Sequence, residues 1–234
     1  MPRQHAPAAS LDALRAAASH CRECPLGARA TQTVWGEGPP GARLMLVGEQ
    51  PGDREDLAGR PFVGPAGALL DRAIAALGWS RERLYVTNAV KHFKFELRGK
   101  RRMHKTPAQQ EMLACHHWLE DEIAAVAPGA IVALGATAAR ALIGHPVRIL
   151  AERGHWLERL DGRRVLVTLH PSALLRGDPA QRHQAFDAWV ADLAHADERP
   201  AGAPSRPVVR LAVPDGPGRG PSHGPGPRRG TGLS

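Results

Sequence analysis

The sequence predicts an α/β fold, a three-layer α/β/α sandwich built on a four-stranded parallel sheet. Two observations predict it. Four short runs, Leu44 to Val47, Leu84 to Thr87, Ala130 to Leu134 and Val165 to Leu169, are apolar along most of their length, as strands buried on both faces are. Helical patterns separate these runs, and strands that alternate with helices join into a parallel sheet through helical crossovers.

The elements follow in order. Residues 1–9 are a ragged start, and Ser10 opens a short helix that leads into Cys21. Ala66 to Leu77 repeats apolar residues at helical spacing and ends at Gly78. Pro107 to Val126 reads as a helix capped by Thr106 and stopped before Pro128-Gly129. Ala136 to Leu142 is a further helix ended by Gly144, and a last one spans Ala180 to His195. Fifteen of the final 34 residues are Gly or Pro, too little apolar surface to fold alone. The expected division is therefore a folded domain over 1–200 and a disordered tail over 201–234.

A hydrophobic fraction of 43% supports a sizeable core in a chain of 234 residues. The net charge of +8 is unevenly placed. Residues 91–105 hold seven Lys or Arg against one Glu, and residues 197–234 hold six Arg against three acids, so the remainder is near neutral. A local basic patch on a neutral body points to an anionic partner bound at one place, nucleic acid first. No apolar stretch has membrane-spanning length and the N-terminus lacks the order of a signal peptide, so a cytoplasmic protein with no membrane partner is expected. Three Cys make no secreted disulfide framework.

In such a fold, ligands meet the loops at the carboxyl ends of the strands. Here those loops are 48–53, 88–92, 135–137 and 170–172. Gly48-Glu49-Gln50-Pro51-Gly52-Asp53 sets a carboxylate in a tight turn, although an exposed acid in an ordinary turn would look the same. Phe62 lies between two glycine-bearing turns, where it stacks on a base or fills the core. Asn88 offers a donor and an acceptor that match the edge of a uracil ring, or it caps a turn. His170-Pro171-Ser172 sets an imidazole after the last strand, able to donate to a carbonyl oxygen, and the apolar residues behind it could wedge into a base stack. Arg98-Gly99-Lys100-Arg101-Arg102-Met103-His104-Lys105 is a phosphate-binding pattern, and its His adds a nucleophile. Cys21-x-x-Cys24 alone is a zinc half-site, a redox pair or chance.

Together these pieces resemble the uracil-DNA glycosylase superfamily over about Cys21 to Leu193, and most closely its iron–sulfur branch. The Gly48 to Gly52 motif with the inserted Lys100 to Lys105 loop is similar to the UdgX subgroup, which excises uracil and then becomes joined to DNA through the loop His. The resemblance implies roles. Phe62 would stack on the flipped base, Asn88 would read its edge, and Gln50 and Asp53 would shape the pocket. His170 would donate to the uracil oxygen that gains charge. Glu49 would stabilise the cationic sugar and orient His104, which would capture C1′. Lys100, Arg101, Arg102, Lys105 and Ser172 would hold the DNA backbone, and Leu174 would fill the gap left by the base. The family pattern also places a metal ligand at His92, giving a [4Fe–4S] cluster on Cys21, Cys24, His92 and Cys115, with zinc as the chemical alternative. The expected partner is uracil-containing DNA, single- or double-stranded, and the expected state is a monomer.

Overall fold

The computed structural model describes residues 10–197. Residues 1–9 and the tail expected over 201–234 lie outside the described residues. The chain opens with α1 (Leu11–Ala18), whose Ser10 side chain accepts from the Ala13 N–H, and the short α2 (Leu26–Arg29). It continues through β1 (Leu44–Gly48), α3 (Asp53–Ala58), α4 (Pro65–Ala76) and β2 (Leu84–Asn88). A β-hairpin of β3 (Phe95–Arg98) and β4 (Arg101–His104) follows, then α5 (Gln109–Val126), β5 (Ala130–Leu134) and α6 (Ala136–Ile143). The last elements are α7 (Ile149–Glu152), β6 (Trp156–Glu158), β7 (Arg164–Thr168), α8 (Pro171–Arg176) and α9 (Arg182–Ala194).

The main sheet has five strands in the order β2-β1-β5-β7-β6. The four predicted strands are present and parallel, and β6 adds an antiparallel edge against β7. Three residues carry too little pattern to have announced that edge. Alternation divides the core in two. Met45, Val47, Tyr85, Ile131, Ala133, Val165 and Val167 face α5 and α6. Leu44, Leu46, Leu84, Val86, Val132, Leu134 and Leu166 face the other way, against α4 and α9. The result is the three-layer α/β/α sandwich.

Two local expectations change. Helix α5 begins after Ala108, not Thr106, because Glu111 reaches back to accept the Ala108 N–H at 2.6 Å. The basic run is an antiparallel hairpin turning at Gly99, where φ is +60°, not a loop. Among the described residues no helix is long and apolar enough to cross a membrane.

Register fixes the site. Gly48 of β1 pairs with Asn88 of β2, Val47 with Ala133 of β5, and Leu134 with Thr168 of β7. All four parallel strands therefore end on one line, and the loops that begin at 49, 89, 135 and 169 emerge side by side.

Candidate active site

Glu49 stands one residue past the end of β1. Its Oε2 accepts from the Thr137 hydroxyl at 2.5 Å, and its Oε1 lies 3.3 Å from His104 Nε2. Burial alone would raise the Glu49 pKa, but the bonds from His104 and Thr137 outweigh it and hold the carboxyl below its usual range. Glu49 is thus a carboxylate at neutral pH, half-buried, facing an imidazole that is 51% exposed.

His104 reaches Glu49 because the hairpin is docked by its inward face. Directly paired residues on antiparallel strands share a face, so Phe95, Leu97, Arg102 and His104 point one way. Phe95 stacks on the buried Phe93 with ring centroids 5.3 Å apart, and the Arg102 guanidinium lies 5.2 Å from the Phe95 ring. Arg102 also bonds Asp53 and Asp56, each at 2.6 Å. Gln50 closes the open end of the hairpin. Its amide donates to the carbonyls of Lys94 and Lys105 and accepts from the Lys94 N–H.

These contacts correct one expected role. Arg102 is spent on carboxylates, so it anchors the hairpin rather than meeting phosphate. The side chains of Asp53 and Gln50 also hold the hairpin. Lys100 and Arg101 are exposed with no carboxylate partner among the described residues, and Lys105 pairs with Glu96 at 3.1 Å. Lys100, Arg101, Met103 and Leu57 line a cleft of about 580 Å³ between the hairpin and α3.

His170 caps α8. Its Nδ1 accepts from the Ser172 N–H at 3.2 Å and lies 2.8 Å from the Ser172 hydroxyl. That assigns the ring proton to Nε2. Burial lowers the His170 pKa to about 4, against the pull of Glu49. The group is a neutral N–H donor at pH 7. Ser172 was expected on DNA, but its hydroxyl is held by His170 and by Arg176 at 3.1 Å. Leu174, expected as a wedge, is buried in the core against α4 and α9. Leu175 is the neighbour that reaches solvent, at 36% exposure.

Asn88 and Phe62 meet at Gly48. A Cβ there would lie 2.4 Å from Asn88 Oδ1 and 2.6 Å from the Phe62 ring, so only glycine leaves room for both. Asn88 Oδ1 is a buried acceptor with no hydrogen-bond partner among the described residues. Phe62 is held at φ +54°, a costly setting for an aromatic residue. The Phe62 carbonyl would come within 1.8 Å of a Cβ at Gly67, so that glycine is required. Glu55 ties the two turns together by accepting from the N–H groups of Gly52 and Gly64. The Phe62 and His170 rings lie 6.0 Å apart. Sequence reasoning gave no role to Glu55 or Thr137, because an acid in a helix and a hydroxyl after a glycine carry no signal until the loops converge.

The cysteines gather at the other end of this loop system. Cys21, Cys24 and Cys115 share one cluster with Leu26, Trp35 and Trp118. The Lys91 N–H lies 3.3 Å from Cys115 Sγ, and the Trp118 indole N–H lies 3.4 Å from Cys21 Sγ. Burial pushes the Cys115 thiol up to about 11, although nearby Lys91 favours the thiolate. The Thr33 hydroxyl donates to the Ala18 carbonyl, so it can only accept from His92 Nε2, 2.9 Å away. His92 is therefore an Nε2–H tautomer whose Nδ1 has no hydrogen-bond partner among the described residues, and burial lowers its pKa. Among the described residues, no three His, Cys, Asp or Glu side chains are arranged as a ready metal site.

Two outcomes follow. Arg102→Ala should speed amide hydrogen exchange across residues 95–105 while the parallel strands stay protected, and unchanged exchange would remove Arg102 as the anchor. The His170 ring should stay neutral to about pH 5 and titrate near 4 by NMR. Because its folded value lies below the free value, its neutral form supports the fold fully above about pH 6.5 and loses that support as pH falls toward 4. A titration near 6.5 would contradict the buried donor.

Comparison with known proteins agrees with this geometry. The family model described as the uracil DNA glycosylase superfamily matches residues 35–194. The chain is 42% identical over 157 residues to a Type-4 uracil-DNA glycosylase of Thermotoga maritima, covering 67% of this chain and 78% of that protein. It is 36% identical over 174 residues to a Type-4 uracil-DNA glycosylase of Pyrobaculum aerophilum, covering 70% and 83%. A Type-5 uracil-DNA glycosylase of the same organism is 32% identical, over 64% of this chain and 72% of that protein. Matched over residues 35–194 by that family model and 42% identical to one such relative, the chain belongs to the uracil DNA glycosylase superfamily.

Proposed function

We propose that the protein excises uracil from DNA and that His104 then captures the sugar, leaving a covalent adduct of the UdgX kind. The observation that carries the second step is the 3.3 Å contact between His104 Nε2 and Glu49 Oε1 at the mouth of the pocket.

The flipped base would enter between Phe62 and the Asn88 amide, whose unpartnered Oδ1 accepts the N3–H of uracil. The C1′–N1 bond breaks with its electron pair going to uracil, and His170 Nε2–H donates to the oxygen that gains charge. A neutral donor suits this task, since its proton stays on the enzyme. Glu49, ionised and fixed by Thr137, faces the cationic sugar. His104 reacts as the tautomer with its proton on Nδ1: Nε2 gives its lone pair to C1′, the ring becomes cationic beside the Glu49 carboxylate, and the Nδ1 proton then leaves to water. The exposed Lys100 and Arg101, with Lys105 beside them, would meet backbone phosphates, and Leu175 is placed to enter the stack.

Cys21, Cys24, Cys115 and Nδ1 of His92 would form the donor set for a [4Fe–4S] cluster. The donors suit the group. Two sulfurs already have N–H neighbours, and the His92 ring carries its other proton to a hydroxyl, as metal-bound imidazoles do. When bound, the cluster would staple the N-terminal segment to α5 and to the segment that carries Asn88. Zinc on the same ligands is the alternative.

On a denaturing gel, the protein should shift an oligonucleotide that holds uracil and leave one that holds thymine unshifted. His104→Ser should abolish the shifted band while free uracil is still released. Release with many turnovers and no adduct in the wild type would establish an ordinary glycosylase instead. Purified protein should carry iron and acid-labile sulfide at about four each per chain with broad visible absorbance, and Cys115→Ser should lose both. Zinc without iron would exclude the cluster.

A further inference from the structure

Lys91 follows Asn88 by three residues, and its side chain turns back into the protein. It is 1% exposed, and its partner Glu122 on α5 is 0% exposed. Lys91 Nζ donates to Glu122 Oε2 at 2.6 Å, to the Asn88 carbonyl at 2.8 Å and to Thr87 Oγ1 at 2.9 Å. All three ammonium protons are thereby used. Glu122 Oε2 also accepts from the Thr87 hydroxyl, and Oε1 accepts from the Tyr85 hydroxyl and the Gly36 N–H. The Trp35 ring lies 5.1 Å from Nζ.

Stability alone gives a poor account of this pair. Stripping water from two charges costs about as much as their attraction returns, and apolar replacements are often as stable. Position is what the pair supplies. Two of the three Lys91 bonds go to residues 87 and 88, the last residues of β2. Beyond them, Ala89 and Val90 donate to the carbonyls of Gly48 and Glu49, and the Lys91 N–H turns toward Cys115. The segment that carries the Asn88 amide is therefore held from below by the ion pair and from the side by β1.

We propose that Lys91 and Glu122 are positioning residues for Asn88, and that through it they set the discrimination between uracil and cytosine. This inference rests on the reading of the pocket as a uracil site. Uracil offers a donor at N3 and an acceptor at O4, whereas cytosine offers an acceptor at N3 and a donor at N4. A side-chain amide carries one donor and one acceptor, so it suits uracil in one orientation and cytosine when flipped. Asn88 Oδ1 has no partner among the described residues to pin it. The orientation must come from where the backbone puts the side chain, and the ion pair holds that backbone.

The test is single-turnover base release by the full chain as purified, from oligonucleotides holding one uracil or one cytosine at the same place. If the wild type releases no uracil, the reading of the pocket itself falls, before any variant is measured. Thr87→Val and Tyr85→Phe each delete one hydroxyl from the same buried carboxylate, so a merely structural network predicts similar effects. Only Thr87 also receives Lys91 beside Asn88. Thr87→Val, and the double variant Lys91→Met with Glu122→Gln, should lower the uracil-over-cytosine ratio roughly tenfold to a hundredfold, the scale of a small misplacement. Tyr85→Phe should lower the melting temperature but keep the ratio. A Thr87→Val protein with the wild-type ratio, or equal changes in ratio for both hydroxyl variants, would overturn the proposal. Thr87→Val is nearly isosteric and carries the test if the double variant does not fold.

Discussion

The Arg102 guanidinium sits between the carboxylates of Asp53 and Asp56, and the placement of His104 follows from it. Side chains on a strand alternate, so residues 102 and 104 share a face and stand two positions apart. Once Arg102 is held, His104 falls at the Glu49 carboxylate. A slip of one residue would turn both outward. The aromatic stack of Phe93 and Phe95 and the clamp from Gln50 support the same register from other directions. Asp56 is fully buried, accepts from the Thr31 N–H and needs a cation, so hairpin and body complete one another.

A similar logic runs through the rest of the site. Most groups of the proposed chemistry are held by a neighbour outside it. Thr137 fixes Glu49, Ser172 fixes the tautomer of His170, and Glu55 joins the turn after β1 to the turn that carries Phe62. Asn88 is the exception: its amide oxygen has no partner among the described residues, and its support comes from the backbone. An unpaired buried acceptor is costly, and in the proposed reading a matching donor on the base offsets that cost. The Phe62 backbone stores strain in the same place, made tolerable by the missing Cβ of Gly67.

The sheet and its polar strand ends were legible in the chain because buried parallel strands write themselves as apolar runs between helices. The sequence also singled out Glu49, His104 and His170, the trio proposed to react, since each carries a chemistry-bearing group in a distinctive motif. The supporting residues were not. Glu122 reads as one more acid on a long helix, and Lys91 as one more cation in a basic segment. Charge pattern pointed Arg102 outward to phosphate, whereas the fold turns it inward, because a count of cations says nothing of the carboxylates on α3. Leu174 and Leu175 differ only in which side of a short helix they occupy, and helix rotation is set by packing against α4 and α9.

By itself, the sequence determined the α/β class, the four parallel strands, the loops that meet at their ends and the kinds of group those loops carry. These are local or periodic properties, and composition and spacing carry them. Tertiary structure alone decided which charges are spent inside the protein and which are left for a partner. That choice depends on distances between residues far apart in the chain, 49 from 104 and 91 from 122, and only the packed sheet with its docked hairpin brings them within bonding reach.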